Sequence, residues 1–386
     1  MNKLTYITGT FLIQAEGAFL NGAGLDTGED KNAVIPKTFA DGRNRVPYVS
    51  AQAWRRWLRS TFHDEYPDEP AAEIEVLAVN AKGNPSKIGT KMDPINFAED
   101  DIFGYMRAEQ GQGRAREADA DELEAGDEAE LEASAESATG KGKAKSKTEK
   151  TKAVMRPSPF SSSILKSLRA NGWQGDDEGF VHLRTGTPLP YKTRFYNTQL
   201  QGVFGLNYAR LGVFRNEGDR IELDESLVKK YLADGTIRAT ANPNIYEVAN
   251  NRRRERATMI LRSLAVLRGG AKQAQFGTEV APKAIVLAGL NCGNMIFNDL
   301  FEERDGQPAV KLGALRQTIE DYRDRLATPV FVGVREGYLH PDSERELRGW
   351  VEGGAALGDG RGGYDVRLSS PLRAIEGLTA QLSEVG

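Results

Sequence analysis

The chain has 386 residues, too many for one minimal domain, so it implies a core domain with large insertions or two domains. Apolar residues at 39% suffice for a sizeable core, and a formal net charge of −4 does not mark a general polyanion binder, although a basic face can sit on a mildly acidic protein. The single Cys292 excludes an internal disulfide framework and a cysteine zinc site. His63, His182 and His340 are scattered, which leaves little material for a histidine metal centre or a histidine-driven triad. No apolar run approaches the roughly 20 residues of a membrane span, and the N-terminus lacks the pattern of a secretory signal. The expectation is a soluble, cytoplasmic protein without a membrane partner.

Residues 4–15 (LTYITGTFLIQA) are rich in β-branched and aromatic side chains, as a buried strand requires, and Gly9 within them marks a bulge or a close backbone approach. Residues 17–44 are rich in Gly, Asn and Asp and read as a loop or hairpin carrying Lys31 and Lys37. An extended Val-Pro-Tyr-Val then leads into Ser50, an N-cap whose hydroxyl can accept an orphan backbone N–H. From there Ala51, Trp54, Trp57, Leu58, Thr61 and Phe62 gather on one helical face. Gln52, Arg55, Arg56 and Arg59 follow i, i+3, i+4, i+7 and gather on the opposite face. Two tryptophans anchoring such a helix would hold three guanidiniums in a fixed array that suits phosphate oxygens. A solvated basic surface is the plainer alternative. Strand, loop and helix in this order make half of a split β-α-β unit, as in ferredoxin-like folds.

Residues 73–79 read as a short element, and residues 96–106 hold a compact apolar patch of Phe97, Ile102, Phe103, Tyr105 and Met106. Residues 107–153 contain almost no large apolar side chain: an acidic block (117–136) precedes a lysine block (141–152). Such composition does not offset its ordering entropy, so this stretch is expected to be disordered. Its lysines either solvate and pair the neighbouring acids or touch nucleic acid. Residues 160–170 read as a helix and 171–179 as a turn-rich loop. Residues 180–184 and 191–203 then flank Gly186-Thr187-Pro188-Leu189-Pro190 as a β-hairpin with an irregular tip. There Lys192 and Arg194 interleave with Tyr191, Phe195 and Tyr196. That pattern gives unpaired bases a stacking surface beside phosphate partners, or it is an ordinary packed strand.

Residues 203–214 continue as strand, 224–231 as a short helix and 252–268 as a long one with Ala257, Ile260, Leu261, Leu264 and Leu267 on its buried face. Gly269 and Gly270 end that helix, because glycine accepts the left-handed cap conformation. The run Gly269-Gly270-Ala271-Lys272-Gln273 also lets backbone N–H groups and a lysine approach an anion, though it lacks the GxxxxGK[ST] pattern of a nucleotide loop. A plain helix stop remains the alternative. A strand at 283–290, an amphipathic helix at 311–326, a strand at 329–334, a flexible glycine-rich loop at 353–363 and a final helix at 370–383 complete the chain. There is no tandem repeat.

Four stretches together resemble the crRNA-binding backbone subunit of type I CRISPR Cascade complexes, its DevR-type branch (Cas-seven family), within the RAMP superfamily. They are residues 4–21, VPYVSAQAWRRWLR at 46–59, FYNTQLQGVFGLNYA at 195–209 and GGAKQ at 269–273. The Ser-x-Gln-x-x-x-Arg helix opening joined to a late GAKQ loop is fairly specific as a pair, and neither half alone is. The resemblance implies an α+β chain with a ferredoxin-like (RRM-like) palm at 1–66 and 200–386, a helical finger insertion at 67–170 and a β-hairpin thumb at 171–200. The stretch 107–153 departs from the family pattern inside the finger.

The resemblance also implies partners: crRNA, the target DNA strand paired to that guide, further copies of the chain in a head-to-tail filament, and other Cascade subunits. Carried over by position, Ser50, Gln52, Arg55, Arg56 and Arg59 match the helix that lies along the crRNA backbone. Lys31 and Lys37 fall in the preceding loop, where the family has RNA-contacting lysines. Gly269, Gly270, Lys272 and Gln273 match the late palm loop beside the RNA, and Lys192 and Arg194 sit on the expected thumb. The role implied is a non-catalytic scaffold with neither cofactor nor metal. The alternative is a RAMP ribonuclease that cuts target RNA with a divalent metal, for which Asp26, Asp30 and Asp41 lie in the early loop. A regulatory or interaction protein with no RNA partner is a third reading.

Overall fold

The computed structural model describes residues 3–27, 32–72, 75–79, 85–107, 154–169, 173–181, 185–187, 189–218 and 220–382. Lys31, Asp30, His182 and nearly all of the acidic-then-lysine stretch, residues 108–153, lie outside them. The chain is a mixed α+β structure that divides into two compact units. Residues 1–67, 160–209 and 254–386 form the first, and residues 68–159 and 210–253 the second. Residues 210–253 thus group with 68–159, and the long hairpin lies in the first unit.

The first unit is built on one large sheet. Its central strand is β1 (Tyr6–Ala18), antiparallel to Leu189–Leu206 on one side and to Ala284–Leu290 on the other. Beyond Ala284–Leu290 come Val330–Val334 and, parallel to it, Val366–Ser369. In the other direction the order runs through Leu165–Ser167 to an edge hairpin. Two short strands, β2 (Gly22–Leu25) and β3 (Ala33–Pro36), pair with each other, and β3 runs parallel to Leu189–Leu206. The edge hairpin is β4 (Thr38–Asp41) with β5 (Asn44–Val49).

Near-continuous burial along β1 follows from cover on both faces, which is why its sequence lacks clean alternation. Gly9 is a close approach and not a bulge: a Cβ there would meet the Phe204 ring at 2.6 Å and the Val286 carbonyl at 2.9 Å. The irregularity in β1 falls later, between Ala15 and Ala18. On one face, helix α1 (Ala51–Glu65) sets Trp54 edge-on to Phe11 at 5.5 Å, and Pro371 of the helix Pro371–Gln381 lies over Gly333. On the other, Leu12, Ala284, Val286 and Val332 pack with Leu315, Ile319, Leu347 and Trp350 from the helices Leu312–Asp321 and Pro341–Glu352.

The second unit has its own sheet, ordered Ile237–Ala239, Ile245–Val248, Val213–Glu217, Arg220–Ile221, Val154–Arg156, Tyr105–Arg107. Its apolar core joins Ile95, Phe214, Leu223, Val228, Tyr231, Ile237 and Val248. Beside that core, fully buried Arg156 is paired with Asp101 and, at 3.2 Å, with Glu222, while its guanidinium lies 4.3 Å from the centre of the Phe214 ring. A buried charge of this kind is tolerable because two carboxylates and the carbonyls of Asp101, Val213 and Arg210 accept from its N–H groups. The two strands that flank residues 108–153 pair antiparallel, with Arg107 opposite Val154.

Several sequence expectations are corrected. Residues 160–170 form two short strands, Phe160–Ser162 and Leu165–Ser167, both paired to Leu189–Leu206, and the second alternates buried, exposed, buried. The loop expected at 171–179 is the strand Trp173–Val181, because its Gly- and Asp-rich backbone finds a full ladder against the neighbouring strand. The strand read through residue 214 breaks after Leu206 in a turn and resumes at Val213. The helix placed at 311–326 ends at Asp321, followed by one 3₁₀ turn. The glycine-rich loop at 353–363 is pinned, with Arg323 and Arg361 both bonded to Asp359. The helix Pro341–Glu352 was not anticipated.

Candidate nucleic-acid interface

Helix α1 forms as its sequence dictates. Ser50 Oγ accepts the Ala53 N–H at 3.3 Å as N-cap, and Trp54, Leu58, Thr61 and Phe62 are buried. Burial of three such large apolar side chains stabilises the docked helix by roughly 1.5–3 kcal/mol each. Trp54 adds a hydrogen bond from Nε1 to the Ser163 carbonyl at 2.7 Å. On the far side Gln52, Arg56 and Arg59 are exposed and Arg55 is half-buried, the division expected from the spacing.

The Gly269–Gln273 loop meets this helix directly. Gly269 has φ +148° and packs so closely on Trp57 that a Cβ there would clash with the Trp57 Cβ, Cγ and Cδ1 atoms. Gly270, at φ +106°, has Leu20 Cδ2 only 2.6 Å from where a Cβ would stand. The glycines therefore serve close packing. They are not the helix cap, since the helix Asn250–Ala265 stops four residues earlier. Thr61 clasps the same junction, donating to the Arg268 carbonyl at 3.2 Å and accepting the Arg268 N–H at 3.0 Å. A hydrogen bond to Glu65 at 2.7 Å raises the pKa of the Arg268 guanidinium, keeping it firmly protonated.

Lys272 and Gln273 are used within the protein. Lys272 takes a left-handed backbone, donates from Nζ to Thr193 Oγ1 at 2.6 Å and lies 5.4 Å over the Phe19 ring. Gln273 donates from Nε2 to the Gly269 carbonyl and closes the loop. Through Lys272–Thr193, Gln275–Asp177 and a 6.0 Å contact of Phe195 with Phe276, the loop is tied to one face of the long hairpin, Trp173–Val181 with Leu189–Leu206. Lys192 and Arg194 stand on the hairpin's other face. Lys192 is paired to Asp176 and Glu178, each at 2.9 Å. Arg194 is paired to Asp26 at 2.6 Å and Asp176 at 3.2 Å. Near the hairpin tip Phe180 and Tyr191 are exposed.

A hub that sequence reasoning passed over organises these parts. Phe19, Leu20 and Asn21 follow the end of β1. The Leu20 carbonyl accepts the Ala271 N–H at 2.9 Å, and its own N–H donates to Tyr196 Oη at 3.4 Å. Burial raises the Tyr196 pKa, so this phenol stays neutral as an acceptor. Asn21 Oδ1 accepts the Ser50 N–H at 3.0 Å, and the Asn21 carbonyl accepts the Lys37 N–H at 2.8 Å. One tripeptide thus positions the helix cap, the Lys37 strand junction, the glycine loop and the hairpin base. Its only trace in sequence was the extension of the family resemblance to residue 21.

The structure brings together Ser50, Lys37, Gly269, Gly270, Lys272 and Gln273 around that hub. Arg194 is held by Asp26, one of the early-loop aspartates, and Asp41 is exposed at the β4–β5 turn. Among the described residues no three His, Cys, Asp or Glu side chains gather as a metal site, and no helix is long and apolar enough to cross a membrane.

No family model matches the chain, and no curated protein does. Among solved structures, the chain is similar to a chain of a CRISPR RNA-guided surveillance complex in a pre-nicking state, at 13% identity and a TM-score of 0.49, covering 98% of this chain and 100% of that one. A second chain of a CRISPR RNA-guided surveillance complex aligns at 11% identity and a TM-score of 0.44, covering 97% of this chain and 99% of that one.

Proposed function

We propose that this chain is a non-catalytic, crRNA-binding backbone subunit of a type I CRISPR Cascade complex, with its first unit serving as an RRM-like palm. In this reading Arg55, Arg56 and Arg59, with Gln52 and Ser50, lie along the phosphates of the guide, and Lys31 and Lys37 flank them. The long hairpin acts as the thumb, and residues 68–159 contribute the finger. The observation that carries the reading is the Trp57–Gly269 contact. The two sequence halves that are specific only as a pair, the arginine helix and the GGAKQ loop, touch each other although 212 positions along the chain separate Trp57 from Gly269.

Physically, such a subunit neutralises guide phosphates and leaves sequence reading to base pairing. Binding is then tolerant of sequence and sensitive to salt, because phosphate contacts release counterions. Lys192 and Arg194 would reach phosphate by exchanging Asp176, Glu178 and Asp26 for it. Copies of the chain follow one another head to tail along the guide, beside other Cascade subunits, and the guide pairs with target DNA. The test is purification of the full chain from cells together with its own operon, followed by sequencing of bound RNA. The reading expects guide RNA of defined length. Protein free of RNA, or carrying random RNA fragments, would overturn it.

A further inference from the structure

The edge hairpin β4–β5 presents a surface that the guide-binding reading does not use. Phe39 and Tyr48 are half-buried, with ring centres 5.9 Å apart and planes tilted by 58°. Lys166, directly opposite Tyr48 on the next strand, is exposed and holds its Nζ 5.7 Å from the centre of the Phe39 ring. Arg43 at the turn and Arg45 on β5 are exposed as well. No ion pair among the described residues engages Arg43, Arg45 or Lys166, and Asp41 is the one acid on the hairpin. Elsewhere in this unit cations on strands are closed on carboxylates, as Lys192 and Arg194 are.

We propose that Phe39, Tyr48 and Lys166, with Arg43 and Arg45, form a second binding surface that takes single-stranded nucleic acid through its unpaired bases. Two features of the patch select that occupant. Two cations on one short hairpin and a third on the strand beside it, none in an ion pair among the described residues, call for a polyanion, and a pair of partly open rings calls for planar groups to stack on. Single strands supply both at every residue. A duplex offers the charge but hides its base faces, and an acidic peptide offers charge with few rings. Every base has a π-face, so recognition here is tolerant of sequence. The patch needs no participation of the arginine helix and stands whether or not that helix holds a guide.

The test uses the full chain and short oligonucleotides that carry 2-aminopurine, one of DNA and one of RNA, each also offered as a duplex. The expected result is quenching of the single strand by the native protein, of DNA, RNA or both, which tells which strand the patch takes. The double variant Phe39→Leu with Tyr48→Leu keeps apolar volume, so the edge should stay folded, and affinity should fall by about 5- to 100-fold with loss of quenching. Lys166→Gln with Arg43→Gln should keep the quenching while lowering the salt dependence by about one to two released ions. The variant with Arg55, Arg56 and Arg59 all changed to Ala is run alongside and read for retention of guide RNA. Quenching unchanged in the leucine variant overturns the proposal, as does equal binding of duplex or full competition by an acidic peptide. If the leucine variant behaves as native while the arginine variant loses guide RNA, this patch is refuted and the guide-binding reading stands.

Discussion

The β4–β5 edge and the base of the long hairpin carry the same side-chain types, aromatic rings beside lysine and arginine, and set their charges to different tasks. At the hairpin, Lys192 bridges Asp176 and Glu178, and Arg194 joins Asp176 to Asp26 near the end of β2. Those cations fix a loop to a hairpin. At the edge, no carboxylate among the described residues pairs with Arg43, Arg45 or Lys166, and the Phe39 ring lies under Lys166. The difference teaches that an aromatic–basic pattern alone does not mark a binding surface. What distinguishes the two is whether acids stand within reach, and that is settled by pairing across strands distant in sequence.

The largest effect that sharpens the comparison comes from the junction beneath the hairpin. Gly269→Val places a branched side chain at φ +148° against Trp57 and should cost about 2–5 kcal/mol in denaturant unfolding, with loss of RNA retention. A native-like midpoint would mean the glycine loop does not bear on the helix. The matching change at the edge is milder: Gly42→Ala, at φ +61° with open space around it, should cost about 1 kcal/mol by the same measurement. A cost equal to that of Gly269→Val would dissolve the contrast between a packed glycine and a merely turning one.

Charge removal at the hairpin should act in the opposite direction on binding. Asp176→Asn with Glu178→Gln removes two acids that hold Lys192 and should tighten single-stranded RNA binding by roughly two- to tenfold at low salt, an effect that vanishes as salt rises. Weaker binding would show that the pairs are needed for hairpin geometry. The smallest effect is on stability: because these pairs are partly exposed, the same variant should move the unfolding free energy by only about 0–1 kcal/mol.

Much of the first unit was legible in sequence. The Ser50 cap, the Trp54–Leu58–Phe62 face and the opposed arginines follow from helical spacing, and the structure places each as the spacing requires. A hairpin through this region was legible from its turn residues, although Leu189 and Pro190, expected in its tip, already pair with Val181 and Phe180. What failed is instructive. Residues 160–170 and 171–179 are strands because Leu189–Leu206 offers both a ladder, a long-range fact that no local window contains. The glycines at 269 and 270 were read as a helix stop, whereas the helix had already ended and their purpose is contact with Trp57 and Leu20. The hub at Phe19–Asn21 acts mostly through backbone groups, whose partners leave little imprint on side-chain patterns.

The central claim is that the exposed face of α1 holds the phosphate backbone of a guide. It is tested most directly by changing Arg55, Arg56 and Arg59 to Ala together and measuring assembly on crRNA across a salt series. The account predicts affinity lower by on the order of 100-fold at moderate salt, a salt slope reduced by about three, and an unfolding transition close to native. Assembly and salt slope unchanged in the triple variant would contradict it.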